Sequence, residues 1–345
     1  MPLEQLSAAK QTRMRALSTA RGTIEAMAVD QRKSLRRLIA EAGSTSLESV
    51  SDAQLATFKT AVAEVLSPYA SAVLFDPEYG LGAAQARAKE CGLLLAYEAD
   101  GYENPRPNRM LALMPRLSVR HLRDMGADGI KILLHYTPED TSAVNEEKCA
   151  LIERIGNECR ALDMPFFFEP IVYDPAVPAI GAKQTEDEKF EFAKRKPAIV
   201  IETMREFSKD IYHIDILKVE FPVVASYVEG SATYKGPSAY SMDTALAWYR
   251  AADATARRPY IYLSAGVSTS EFLASIRLAT DAGTRFSGVL CGRATWQEAI
   301  PAYAQSGRQA LYKWLETSGI ENIQALNGLL ERATPWQEFY SGEQG

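Results

Sequence analysis

Lys218 is the residue of this sequence whose chemistry is easiest to infer, because its amine lies inside the apolar run 214–222. An ammonium group in apolar surroundings is costly unless it is paired or neutralised, and burial or a nearby positive charge favours the neutral amine. A neutral lysine amine is a nucleophile for carbonyl carbon. The alternative is a structural ion pair with Glu220 or another carboxylate, and this run alone favours neither interpretation.

Two further apolar runs carry a charged residue in the same way. In the run 129–135, Lys131 shares one face with Leu133 and His135, because side chains alternate along a strand. In the run 166–171, Glu169 shares a face with Phe167. If these faces point inward, Lys131, Glu169 and Lys218 meet, and the charge of Lys131 favours the neutral form of Lys218. A structural Lys–Glu network is the competing interpretation.

The elements that must position these residues form a regular alternation of strands and helices. Short apolar runs alternate with longer amphipathic ones, which favours a parallel sheet. Eight such units predict a closed (β/α)8 TIM barrel of the α/β class, and an open doubly wound sheet is the alternative. The predicted strands are 23–29, 72–75, 93–97, 129–135, 166–171, 214–220, 260–264 and 288–291. The predicted helices include 34–41, 83–89, 145–162, 186–207, 242–254 and 269–282.

Polar residues stand at the carboxyl ends of these strands, where a barrel places its active site. They are Asp30, Gln31, Arg32, Asp76, Glu98, Lys131, His135, Glu169, Lys218, Ser264 and Arg293. Of these, Asp30, Gln31, Arg32 and Glu98 are candidates for contact with a substrate. A single polar residue at a strand end usually belongs to a cap or a turn. Lysines, acids and an arginine at the ends of eight strands together predict an active site.

Two glycine-containing turns follow the seventh and eighth predicted strands. The first contains Ser264 and Gly266, and the second contains Gly292 and Arg293. Backbone N–H groups at such turns bind anions, and the loops after strands seven and eight recur as a phosphate site in this barrel class. Arg293 adds a guanidinium that suits phosphate oxygens. The pair of turns therefore predicts a phosphorylated substrate.

The composition of the chain disfavours several classes of protein. The chain has 345 residues and a formal net charge of -6, which disfavours a nucleic-acid partner. Four separated cysteines and three histidines predict neither a disulfide framework nor a metal site. We expect one domain over 1–345 in the cytoplasm, without a membrane span, with an N-terminal helical extension (about 1–22) and C-terminal helices (about 306–335). Among the latter, the helices near 310–316 and 323–332 are candidates for a homo-oligomer interface or for a cap on the bottom of the barrel.

The chain resembles the tagatose-1,6-bisphosphate aldolases of the LacD type, in motifs that run in order from about residue 7 to about residue 335. The motifs are AVDQR (28–32), LAYE (95–98), IKILL (130–134), FEP (168–170), DILKVE (215–220), YIYLSAGV (260–267), GVLCGRATW (288–296) and KWL (313–315). The resemblance implies a class I aldolase without metal or other cofactor, which cleaves tagatose 1,6-bisphosphate to dihydroxyacetone phosphate and glyceraldehyde 3-phosphate.

By position, the resemblance implies that Lys218 forms the Schiff base and that Glu169 is the acid/base. Asp30, Gln31 and Lys131 match positions that line the substrate, and Ser264, Gly292 and Arg293 match the phosphate-binding positions. Two features depart from the family. Lys33 occupies a position where a small residue is expected, and the loops 175–188, with Ala179 to Ala182, and 231–240 differ. Loops after strands set specificity, so these departures bear on which sugar is bound.

Three alternatives remain open at this point. The same lysine chemistry suits another phosphorylated ketose, such as fructose 1,6-bisphosphate or a sulfo- or deoxy-sugar phosphate. A catalytically silent sugar-phosphate sensor would keep the barrel and lose turnover. The presence of Lys218, Glu169 and Lys131 disfavours a sensor, because sensing does not require a neutral lysine. An unrelated metal-dependent barrel is disfavoured by the scarcity of histidine. No residue of the sequence identifies the epimer at C4.

Overall fold

The centre of the molecule is a closed barrel of eight parallel strands in the order β1 to β8. The structure is a computed structural model and describes residues 5–99, 101, 104, 106–178 and 184–341. The strands are β1 Ile24–Val29, β2 Ala72–Phe75, β3 Gly92–Ala96, β4 Gly129–His135, β5 Phe166–Ile171, β6 Ile216–Val219, β7 Tyr260–Tyr262 and β8 Gly288–Cys291. The predicted (β/α)8 barrel is confirmed, because β8 pairs with β1 and closes the sheet.

Helices surround the barrel. They are α1 Ala8–Ala16, α2 Lys33–Ala42, α3 Asp52–Leu66, α4 Leu81–Ala86, α5 Val119–Asp124, α6 Ser142–Ala161, α7 Glu186–Phe207, α8 Met242–Thr255, α9 Thr269–Asp281, α10 Arg293–Trp296, α11 Ile300–Trp314 and α12 Ile320–Leu329. A π-helical turn, Leu315–Gly319, joins α11 to α12. Several of these helices begin at a Ser or Thr that accepts a backbone N–H bond, and α7 has a complete capping box at Thr185.

The strands are apolar on both faces because one face meets the helices and the other fills the barrel. Phe168 of β5 packs outward against Phe207 of α7, with ring centroids 4.5 Å apart. The neighbouring residue, Glu169, faces the opposite way and pairs in register with Leu133 of β4. The alternation predicted for β4 and β5 therefore places Lys131 and Glu169 on the inner face.

Residues at the N-terminal face of the barrel join α1 and the C-terminal segment to β6. Lys10 of α1 forms a buried ion pair with Asp215, at 2.9 Å, and Tyr340 donates a hydrogen bond to the backbone oxygen of Asp215. Asp215 also accepts the backbone N–H of Phe166. This face is thus held by ionic and hydrogen-bonding contacts on the side away from the carboxyl ends of the strands.

Some predicted boundaries were wrong by a few residues. Strand β6 is shorter than 214–220, and the side chains of Asp215 and Glu220, just outside its two ends, bind backbone groups of β5 and of the residue after it. Strand β7 ends at Tyr262 rather than 264, and the chain then turns through Ala265 and Gly266, both with positive φ. Helix α4 ends before extended Arg87, short of the predicted 89, and α11 begins at Ile300, ahead of about 306. Residues 179–183 of the unusual loop lie outside the described residues.

No helix in the described part of the chain is both long and apolar enough to cross a membrane.

Candidate active site

Three charged side chains from neighbouring strands converge on one oxygen inside the barrel. The Nζ atoms of Lys131 and Lys218 lie 2.8 Å and 2.9 Å from the same carboxylate oxygen, Oε2, of Glu169. All three side chains are buried. The meeting of Lys131, Glu169 and Lys218, expected from strand alternation, is thus what the structure shows.

Lys131 is surrounded by carboxylates. In addition to Glu169, its Nζ contacts Glu98 at 2.6 Å and Asp30 at 3.0 Å. Burial opposes the charged form of Lys131, but the three carboxylates outweigh burial and raise the pKa of Lys131 well above its ordinary value. Lys131 is therefore a permanent cation at neutral pH and a poor nucleophile.

The carboxylates around Lys131 respond differently to burial. Burial raises the pKa of Glu98, and Lys131 only partly offsets it. For Glu169, burial acts in the same direction, but the charges of Lys131 and Lys218 outweigh it and lower the pKa. The same two lysines hold the pKa of Asp30 well below its ordinary value against burial. Glu169 and Asp30 are therefore ionised at neutral pH.

Lys218 has access to a cavity that Ser264, Gly266, Gly292 and Arg293 also line. Its ion-pair partner among the described residues is Glu169, whereas Glu220 pairs with Lys196 instead, at 2.9 Å. The sequence left open a structural ion pair between Lys218 and Glu220 or another carboxylate. The amine of Lys218 is indeed paired, and its partner is Glu169. Pairing with a proton acceptor beside a cavity is also the geometry that a nucleophilic amine requires.

The predicted phosphate-binding residues lie together at the ends of β7 and β8. Gly266 has a φ of +78°, and a Cβ atom built on it would lie 2.4 Å from Cζ of Arg293. The guanidinium therefore packs directly on the glycine backbone, where no larger residue leaves room. A Cβ atom on Gly292 would meet the backbone oxygen of Ala28 and the side-chain amide of Gln31, each at 3.1 Å. Both glycines bring backbone close to the cavity.

Asp30, Gln31 and Arg32 form the loop between β1 and α2. Gln31 donates a hydrogen bond to Asp30 at 3.1 Å, and Arg32 donates one to the backbone oxygen of Glu98 at 2.9 Å. These three residues line a second cavity of about 120 Å³, which Leu133 and Lys33 also line. Glu98 itself is buried against Lys131, so it supports the charge network, and the predicted substrate contact of Glu98 stays a prediction.

Sequence reasoning missed Lys59, a fully buried lysine of α3 that organises this loop. Its Nζ donates to the backbone oxygens of Val29 and Gln31, on either side of Asp30, and pairs with Asp76. Asp76 in turn accepts the backbone N–H groups of residues 78 and 79. A signal was present, because Lys59 lies on the same helical face as Leu55 and Val62, both buried apolar residues.

His135 stands at the end of β4, outside the contacts among the two lysines and Glu169. Burial, together with the charges of Arg109 and Lys148, lowers the pKa of His135 to about 3, so the ring is neutral. Its ring packs edge-on against Tyr173. Within the described ranges, no group of three or more His, Cys, Asp or Glu side chains is placed to hold a metal ion.

The fold and the site together define a barrel enzyme with a lysine-centred site suited to carbonyl chemistry. A family model described as DeoC/LacD family aldolase matches residues 24–298. The chain belongs to this family, and it is an aldolase, a carbon–carbon lyase. The family and enzyme class predicted from the sequence are confirmed.

Proteins of known name support this membership. Tagatose 1,6-diphosphate aldolase of Listeria monocytogenes is 44% identical over 338 residues, covering 97% of this chain and 96% of the relative. The enzyme of the same name from Staphylococcus epidermidis is 44% identical over 322 residues, covering 93% and 95%. A fructose-bisphosphate aldolase structure from Plasmodium falciparum has a TM-score of 0.63 over 96% of this chain and 98% of that chain, at 12% identity, and this likeness concerns the fold alone.

Proposed function

We propose that this chain is a class I aldolase that cleaves tagatose 1,6-bisphosphate to dihydroxyacetone phosphate and glyceraldehyde 3-phosphate through a Schiff base on Lys218. The observation that carries the proposal is the contact of Lys131 and Lys218 with one oxygen of Glu169. The names of the relatives support the sugar, and the cavity at Arg293 supports a phosphate group. The proposed reaction needs no metal, and its proposed location is the cytoplasm.

The first half of the reaction forms the covalent adduct. Lys218 passes a proton to Glu169, and the neutral amine attacks the C2 ketone to form a carbinolamine. Glu169 then supplies a proton as water leaves, which produces an iminium ion. Loss of the positive charge at Lys218 removes one of the two charges that keep the pKa of Glu169 low, so that Glu169 can carry the proton between these steps.

The second half breaks the carbon–carbon bond. A base removes the proton of the C4 hydroxyl, the C3–C4 bond breaks, and its electron pair moves to the iminium to form an enamine. Glyceraldehyde 3-phosphate leaves, C3 is protonated, and water hydrolyses the iminium to release dihydroxyacetone phosphate. Lys131 stays charged throughout and binds substrate oxygens.

Borohydride trapping tests the proposal. The protein is incubated with tagatose 1,6-bisphosphate and EDTA, treated with borohydride, and examined by intact mass and peptide mapping. We expect a stable adduct on the Lys218 peptide, which Lys218→Met abolishes and the exposed-lysine control Lys194→Ala retains. Absence of adduct and cleavage across a panel with fructose 1,6-bisphosphate and other phosphorylated ketoses would refute the aldolase assignment. Abolition of the activity by EDTA would refute metal independence.

A further inference from the structure

His135, the last residue of β4, is a buried polar residue at the carboxyl-end mouth of the barrel that the proposed mechanism does not use. It lies on the inner face of β4, after Lys131 and Leu133, because side chains alternate along a strand. A strand rises about 3.3 Å per residue, so His135 lies about 7 Å beyond Leu133 towards the mouth. His135 is 3% exposed. It is thus the outermost of the inward-facing residues of β4.

The imidazole of His135 has unused hydrogen-bonding capacity. Its Nδ1 atom is buried and has no hydrogen-bond partner among the described residues. A buried polar atom without a partner is unfavourable, and a bound ligand removes this cost when it supplies the partner. The low pKa of His135 keeps the ring neutral, so the ring has one N–H donor and one acceptor nitrogen. Such a ring suits a hydroxyl group, which donates and accepts, better than a phosphate dianion, which only accepts.

The neighbours of His135 border the cavities of the site. His135 pairs in register with Ile171 of β5, and Ile171 forms a small apolar cluster with Leu133 and Leu263, separate from the main core. Leu263 lines the cavity that contains Lys218, and Leu133 lines the cavity of about 120 Å³ at the start of α2. The cluster therefore borders both cavities, and His135 stands on the mouth side of this cluster.

A ketose bisphosphate that extends through both cavities, which adjoin at Gln31, carries hydroxyl groups past this cluster. When C2 lies at Nζ of Lys218, cleavage between C3 and C4 makes C4 to C6 the aldehyde half. The C4 oxygen must reach a base inside the barrel, whereas C5 is one carbon farther from Lys218 and carries a hydroxyl that does not react. We propose that His135 binds the C5 hydroxyl and is a specificity-determining residue for the aldehyde half. This inference rests on the proposed function.

The polar groups next to His135 bind one another and hold its ring in place. The ring of Tyr173 packs edge-on against His135, with centroids 6.1 Å apart. The Tyr173 hydroxyl donates to Asp140 and accepts from Lys148 at 2.8 Å. Arg109 lies over the Tyr173 ring, 4.5 Å from its centroid, and donates to a backbone oxygen. Tyr173 therefore fixes the orientation of the imidazole through ring packing and leaves Nδ1 available for a hydroxyl group.

Condensation of dihydroxyacetone phosphate with two aldehydes tests the inference. Glyceraldehyde 3-phosphate has the hydroxyl that becomes the C5 hydroxyl, and 3-oxopropyl phosphate lacks it but has the same chain and phosphate. We expect kcat/KM of the wild-type protein to be at least about tenfold higher for the first aldehyde. His135→Phe and His135→Leu, which remove both ring nitrogens, should lower this ratio at least about fivefold, and His135→Asn, with a donor and an acceptor near Nδ1, should lower it less. Tyr173→Phe is the control, because it keeps the ring that packs on His135.

The outcomes separate this inference from the function on which it rests. A wild-type protein that condenses neither aldehyde and forms no borohydride adduct would refute the proposed function, and the inference would fall with it. An active wild-type protein that does not distinguish the aldehydes would refute only the role of His135, and this measurement requires no variant. Equal losses with both aldehydes in a folded His135→Phe or His135→Leu variant, or the same change of ratio in Tyr173→Phe, would assign His135 to packing and overturn the inference.

Discussion

Replacement of Lys131 by Met tests the charge network most directly, because it leaves three carboxylates without their shared cation. The carboxylates of Glu98, Glu169 and Asp30 lie 2.6, 2.8 and 3.0 Å from Nζ of Lys131. At such distances each Coulomb term is about 6 kcal/mol for an effective dielectric constant of about 20. Desolvation and protonation reduce the measurable loss to the roughly 3–5 kcal/mol found when one partner of a buried pair is removed.

The loss of folding stability in Lys131→Met depends on pH, and the pKa shifts of Asp30 and Glu169 define the direction of this dependence. In the wild-type protein the low pKa values of Asp30 and Glu169 contribute stability above their ordinary pKa near 4, and this stability disappears on acidification. Without Lys131 those pKa values rise, so the folded variant binds more protons than the folded wild-type protein does as the pH falls. Its stability relative to wild type therefore improves as the pH falls from about 7 towards 4. Urea unfolding at several pH values measures this difference.

Trapping of the same variant tests the roles of the two lysines. Because Lys218 remains, we expect the borohydride adduct to survive in Lys131→Met while turnover falls. Addition of Glu98→Gln removes one uncompensated carboxylate and should recover about 1–2 kcal/mol of stability. A loss of stability below about 1 kcal/mol at pH 7 would contradict the charge network. A folded variant without the adduct would show that the two lysines have been exchanged.

Three further substitutions have defined outcomes. Lys59→Met should cost about 3–5 kcal/mol in urea unfolding and lower kcat, because Asp76 loses its buried partner and the loop around Asp30 loosens. Asp30→Asn should destabilise more at pH 7 than at pH 3, since the contribution of the low pKa of Asp30 begins to fall below its ordinary value near 4 and disappears only when the pH drops below the lowered pKa; an equal deficit at both pH values would contradict this. Gly266→Ala should raise KM for dihydroxyacetone phosphate at least about tenfold by displacing Arg293, and an unchanged KM would remove Arg293 from that site.

The barrel strands were predictable because a strand that is buried on both faces has a continuous apolar run. The predicted limits of β2, β4, β5 and β8 agree with the structure. Closure of the sheet was a weaker inference, because it depends on pairing between the first and last strands. At that junction a Cβ atom on Gly288 would lie 1.9 Å from the backbone oxygen of Ile24, and the φ of Gly288 is +134°. A glycine at this place permits closure, but its sequence context does not distinguish it from an ordinary turn glycine.

The buried polar residues of the site were predictable where they interrupt a strand and obscure where they lie in a helix. Lys131, Glu169 and Lys218 each break an apolar strand run, so alternation alone places them on one inner face. Lys59 lies in a helix, where lysine is common, and its burial depends on how α3 packs on the loop after β1. Its partner Asp76 was identified at a strand end, but the pair depends on long-range packing that no local pattern contains.

Strand patterns alone do not predict which of the two lysines is the nucleophile. Lys131 and Lys218 are both lysines in apolar strands, and alternation alone makes them equivalent. The structure distinguishes them through their neighbours, because Lys131 contacts three carboxylates and is fully buried, whereas Lys218 lines a cavity and contacts Glu169. A lysine held by three anions stays protonated, whereas Lys218 has a single proton acceptor beside it and faces the cavity. We therefore assign covalent chemistry to Lys218 and charge stabilisation to Lys131 as part of the proposed function.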